Sequence, residues 1–198
     1  MSGSDWMPKG SSGTQYGSIG SPVSYKNMEL AGHAVMSIAA KVIENTIARL
    51  PSLKPFLNLT EFNQADIDTK GVLGFYDTVN KNIVIGNFTV SKWVGNSKSG
   101  LAVPTLQGIV AHEIGHGLSY HAQQGFRDVE RILSIARSRY NRGNPVKLSA
   151  TDFAKTISRY ASSGSHETFA EAFADWSVNG IHAKAASLAI IRAWESRR

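Results

Sequence analysis

The segment His112-Glu113-Ile114-Gly115-His116 decides how this chain is read. On a helix turning about 100° per residue, side chains four positions apart lie one turn apart on one face, so both imidazoles can reach the same ion. Glu113 stands beside them. The flanking residues predict a helix opened by Pro104 and Thr105 and running through about Tyr120. Leu106, Val110, Ile114 and Leu118 form its core stripe, leaving His112 and His116 on a different side near Ile109 and Tyr120, where they can face a cleft. Between Lys98 and Arg127 there is no Lys or Arg, and Glu113 is the only formal charge. No cation close in sequence competes for the site.

An ion held by two neutral imidazoles needs a third protein ligand, and the chain has no Cys. That ligand is therefore a His or a carboxylate, and disulfides and a Cys nucleophile are excluded. Glu167, Glu171 and Asp175 follow at helical spacing, opposite an aromatic stripe of Phe169, Phe173 and Trp176. Three like charges at that spacing repel, which a bound cation or a buried His partner would reverse. A solvated acidic face is the plainer alternative. Both Glu167 with Glu171 and Glu171 with Asp175 offer a ligand followed one turn later by a supporting acid, so the residues alone leave the register open. His121 lies about 180° from His112 if the helix continues and reads as a cap or surface residue. His166 opens the acidic helix and is expected to be exposed rather than catalytic, with a place lining the cleft as the alternative, while His33 and His182 have no companions.

These two segments together resemble the zincin metallopeptidases that use Glu as third ligand. Tyr160, seven residues before Glu167, followed by Phe169-Ala170-Glu171-Ala172-Phe173, is similar to the catalytic domain of anthrax lethal factor and related peptidases. The resemblance covers roughly 72–178 in organisation, with its specific residues in two short segments. It implies a Zn2+ site of His112, His116 and Glu167, with Glu171 behind the ligands. It further implies peptide hydrolysis with Glu113 as general base and then acid, and Tyr160 donating to the reacting oxygen. An extended peptide substrate would pair with an edge strand, either Phe75-Tyr76 or Ile83-Val84-Ile85. A metzincin would carry Gly and His where Ser119 and Ala122 stand, and a peptide deformylase would need a Cys ligand.

Working outward, the 198 residues carry 42% apolar residues and a net charge of +6, which suits one domain with its own core. No apolar run is long enough for a membrane span, and the start lacks the apolar core of a secretory signal. Of residues 1–24, 12 are Gly or Ser, predicting a flexible tail or linker ahead of a zincin-like domain over 25–198. The predicted order is α+β: a long first helix from Asn27 to Leu50, a small mixed sheet with an edge hairpin, the active-site helix and a helical C-terminal half. Strands are expected at Val72–Tyr76 and Ile83–Phe88. Helices are expected at Phe126–Tyr140, at Thr151–Tyr160 capped by Ser149 with Asp152, at Ser165–Val178 capped by Ser165, and at Ala183–Glu195.

The leading expectation is a zinc-dependent endopeptidase, of the kind found as a toxin, effector or phage-associated catalytic domain. A non-catalytic module in which zinc clamps two helices and the surface binds protein or nucleic acid is the alternative, with a DNA-associated metallopeptidase between them. Arg127, Arg131, Arg137, Arg139 and Arg142 form a basic face, which solvation explains more simply than nucleic-acid contact.

Overall fold

A computed structural model describes residues 23–24, 34–54, 61–65, 74–77, 79, 82–86, 100–122 and 126–196. It is α+β and mostly helical, with one small four-stranded sheet. In chain order the elements are β1 (Val23–Ser24), α1 (Ala34–Arg49), β2 (Glu61–Ala65), β3 (Gly74–Asp77), β4 (Asn82–Gly86), α2 (Leu106–Gly117), α3 (Phe126–Arg142), α4 (Ala150–Lys155), α5 (Ser165–Asn179) and α6 (Ala185–Glu195).

The sheet order is β1-β2-β4-β3, with β2 parallel to β4 and the other pairs antiparallel. The mixed sheet and its edge hairpin thus follow expectation. Polar β2 does not alternate clearly in sequence and was not foreseen as a strand, because its pairing is a backbone property. Val23 and Ser24 likewise pair with Phe62 and Glu61, so the last two residues assigned by composition to the tail belong to the sheet. The β3–β4 turn begins with an Asx bond, Val79 N–H donating to Asp77 Oδ1 at 2.8 Å. Residues 27–33, 72–73 and 87–88, included in the predicted elements, lie outside the described residues.

Helix ends show the cap chemistry directly. Thr105 accepts from Gly108 N–H at the start of α2, and Ser149 accepts from Asp152 N–H at the start of α4. Two expected boundaries are corrected. Helix α4 ends at Lys155, and Tyr160 instead opens a 3-10 turn over Tyr160–Ser163. Gly164, not Ser165, precedes the first turn of α5, with no side-chain cap. Helix α2 passes into a π turn at Leu118–Ala122.

Ile114, Val110 and Leu118 of α2 join Phe169 and Phe173 of α5, Trp194 of α6 and Ile83 and Ile85 of β4 in one core. Phe169 and Phe173 each meet Trp194 edge to face. Helices α2 and α5 approach so closely that a Cβ on Gly115 would lie 2.8 Å from Ala170 Cα. The central Gly of the motif is what lets the two chemistry-bearing helices touch.

Candidate metal centre

Close contact of α2 with α5 aims His112 and His116 at Glu167 in the first turn of α5. His112 Nε2 lies 3.0 Å from His116 Nε2 and 3.1 Å from Glu167 Oε2, and His116 Nε2 lies 3.4 Å from the same oxygen. All three residues are buried and could hold a metal ion. Four ligands placed about 2.0–2.1 Å from a common centre in a tetrahedron stand about 3.3 Å apart. The observed edges of 3.0, 3.1 and 3.4 Å come near that spacing.

The electrostatics fit a cation as well. Neither Glu167 oxygen accepts a hydrogen bond of ordinary geometry among the described residues, so the carboxylate is buried against two ring nitrogens and little else. Burial alone would raise its pKa, but the charges of His116 and His112 and their contacts hold it well below the ordinary carboxylate range. Burial alone would lower His112, yet Glu167, Glu171 and the charge of Glu113 raise it well above an ordinary imidazole. A positive charge is wanted where these atoms converge.

Glu171 lies one turn further along α5, away from this triangle. Its Oε1 is 2.8 Å from His112 Nδ1, and its Oε2 accepts from Ser158 Oγ at 2.8 Å and from Ala102 N–H. It holds the ring from behind: Glu167 is the carboxylate that meets both imidazoles, and Glu171 meets the far nitrogen of His112 alone. Asp175 joins neither group. It accepts from Asn179 Nδ2, Lys184 N–H and Ser187 Oγ, anchoring the start of α6. The plainer alternative of a solvated acidic face does not hold, since all three carboxylates are at most 4% exposed.

Glu113 is buried beside the triangle, with Oε2 accepting no hydrogen bond among the described residues. Burial raises its pKa, the charges of His112 and His116 oppose this, and those of Glu167 and Glu171 add to it. Strand β3 runs directly over it: a Cβ on Gly74 would stand 3.4 Å from Glu113 Cγ. Tyr160 is half-buried with its ring centre 5.9 Å from that of His112, and its hydroxyl is kept protonated by burial and by the charges of Glu167, Glu113 and Glu171.

On the opposite flank stand residues not singled out for a role. Tyr120 lies beside His116 and stacks on His166 at 4.4 Å. His166 is buried, contrary to the exposed position expected of it, because the close approach of α2 and α5 covers the start of α5. The Ser119 hydroxyl donates to His116 O, so His166 donates its Nδ1–H to Ser119 Oγ at 2.9 Å. Burial and the charge of His116 lower the His166 pKa to about 4, leaving it neutral. The signal was the i, i+4 spacing of His116 and Tyr120, which puts that ring on the ligand face. His182 is exposed, as expected of a His without companions; the His33 and His121 side chains lie outside the described residues.

Strand β4 is paired on both sides, whereas β3 has one neighbour among the described residues. Of the two segments considered for an extended peptide, Ile83–Ile85 is therefore occupied on both sides. A separate cavity of about 310 Å³, lined among others by Leu133, Arg137, Phe153 and Thr168, includes none of the cluster residues. No helix among the described residues is long and apolar enough to cross a membrane. Compared with protein-family models, curated proteins and solved structures, the chain matches none.

Proposed function

We propose that this protein is a zinc-dependent metalloendopeptidase of the zincin type, similar in its site to lethal factor-like catalytic domains. The observation that carries the reading is Glu113: an ionisable side chain buried beside a three-residue cluster it does not belong to, with Oε2 accepting no hydrogen bond among the described residues. A purely structural metal clamp has no use for that group, and structural zinc sites use four protein ligands rather than three. Burying a carboxylate oxygen without a hydrogen-bond donor costs stability, which a catalytic role explains.

His112, His116 and Glu167 would hold the ion. Zinc suits two imidazoles and one carboxylate, and when bound it supplies Lewis-acid polarisation of a peptide carbonyl and acidification of a water molecule. Glu113, raised by burial, is suited to accept the proton of the attacking water and return it to the leaving amine nitrogen. Tyr160, held protonated, can donate its hydroxyl hydrogen to the oxygen that gains charge. Glu171 holds the His112 ring in place. Strand β3 passes over Glu113, which puts an extended peptide lying along it within reach of the cluster.

The test is Glu113→Gln assayed against a peptide library with and without chelator. The proposal expects full zinc content and a loss of cleavage on the order of a hundredfold or more. Equal turnover by both forms, or cleavage unaffected by chelator, would overturn it.

A further inference from the structure

We propose that Ser158 is a positioning residue that, through Glu171, couples the turn carrying Tyr160 to the imidazole of His112, so that both are placed as one unit. The inference rests on the metallopeptidase reading for its catalytic meaning, though the coupling itself is a matter of geometry.

Ser158 is buried, 7% exposed, and its hydroxyl is used on both sides. The hydrogen goes to Glu171 Oε2 at 2.8 Å, and the oxygen accepts Ala161 N–H at 2.8 Å. These bonds bracket Tyr160, which lies between Ser158 and Ala161 in the chain. The main chain of Tyr160 is held from the other side by its own N–H, which donates to Gly100 O at 3.0 Å. The Gly100 segment is itself tied down by Ala102 N–H donating to Glu171 Oε2. Both supports of the Tyr160 turn therefore converge on one carboxylate oxygen. The other oxygen of that carboxylate holds His112 Nδ1 at 2.8 Å.

A rotation of the Glu171 carboxyl group thus moves a ligand ring and the Tyr160 turn together. Removing the Ser158 hydroxyl cuts the shorter of the two paths and leaves Ala161 N–H without its acceptor. Glu171 keeps His112 and Ala102, so the ligand ring stays oriented while the Tyr160 ring gains freedom. Ser158→Thr keeps the hydroxyl that makes both bonds.

The experiment combines Ser158→Ala, Ser158→Thr, Tyr160→Phe and the Ser158→Ala/Tyr160→Phe double variant. Two readouts are used: peptide cleavage by the zinc-loaded protein, and fluorine NMR of the metal-free protein with the Tyr160 ring fluorinated. Expected are a kcat loss of roughly tenfold to a hundredfold in Ser158→Ala with KM little changed, recovery in Ser158→Thr, and a double variant no slower than Tyr160→Phe alone. The fluorine line should be single and sharp in the parent and in Ser158→Thr, and broadened or split in Ser158→Ala. Additive losses in the double variant, or a fluorine line unchanged by Ser158→Ala, would overturn the proposal. If no form cleaves any peptide, the peptidase reading fails and the fluorine line alone decides the coupling.

Discussion

Glu171 Oε1 stands 2.8 Å from His112 Nδ1, and this contact decides what the far side of the imidazole can do. With Glu171 accepting from Ser158 and Ala102 on its other oxygen, Oε1 is placed to accept the Nδ1 hydrogen, and Nε2 is the nitrogen turned toward Glu167. The ring is thereby set for a ligand role before any ion arrives.

Replacing Glu171 should loosen the metal without abolishing its binding. Glu171→Gln is expected to weaken zinc affinity by roughly 10–100-fold, the usual effect of losing a group behind a ligand. Glu167→Gln should weaken it further. Competition against a chromophoric chelator measures both, and an equal or reversed order would mean that the register on α5 is misassigned.

Proton and metal should compete for His112. Despite burial, the neighbouring carboxylates of Glu167 and Glu171 raise its pKa well above that of an ordinary imidazole, so the metal-free ring holds an extra proton that an incoming cation displaces. Zinc affinity should rise by about tenfold per pH unit until that proton is gone, with about one proton released per ion. For the metal-free protein the sign follows from linkage. A raised His pKa contributes stability that is present below the unfolded value and lost as pH rises through the folded one. The lowered carboxyl of Glu167 contributes stability above its unfolded value that is lost on acidification. Tm of the metal-free protein should therefore fall on either side of this window, and zinc should flatten the alkaline limb. A pH-independent zinc affinity would contradict this account.

Gly115 sets the spacing of the two helices. In Gly115→Ala the added methyl meets Ala170 Cα at 2.8 Å and Phe173 Cβ at 3.2 Å. The expected cost is about 1–3 kcal/mol of stability, partly offset by the better helix propensity of Ala. Zinc affinity should fall in parallel, because the same displacement pulls both imidazoles from Glu167. Urea denaturation and zinc titration check the pair of effects; a variant as stable and as metal-avid as the parent would refute the close-packing argument.

Tyr160→Phe should separate binding from chemistry. Loss of one hydrogen-bond donor to the developing oxyanion is expected to lower kcat by about 10²–10³-fold while leaving zinc affinity near that of the parent. A Phe variant with normal kcat would remove Tyr160 from the mechanism.

Local spacing made much of this site legible. His112 and His116 share a face by helical period, and the cap residues Thr105 and Ser149 announce their helices. The depth of burial was not legible, because amphipathic patterning assumes a wet side. Here α2 is buried continuously from Gly108 to Gly117, against α5, α1 and β3, so His112, Glu113 and His116 are buried along with its apolar residues. The role of Asp175 could not be read from the four-residue spacing it shares with Glu167 and Glu171. It depends on where the chain returns after Gly180, which brings Lys184 and Ser187 back to α5. Ser158 was invisible for the same reason: its partners Glu171 and Ala161 come together only once the 3-10 turn has formed.

The central claim is that His112, His116 and Glu167 hold a single divalent ion. Zinc titration of the purified chain against its His112→Ala, His116→Ala and Glu167→Ala variants tests this most directly. One tightly bound ion per parent chain, and a loss of affinity by orders of magnitude in each of the three variants, is the predicted result. Zinc bound by the Glu167→Ala variant as tightly as by the parent would contradict it.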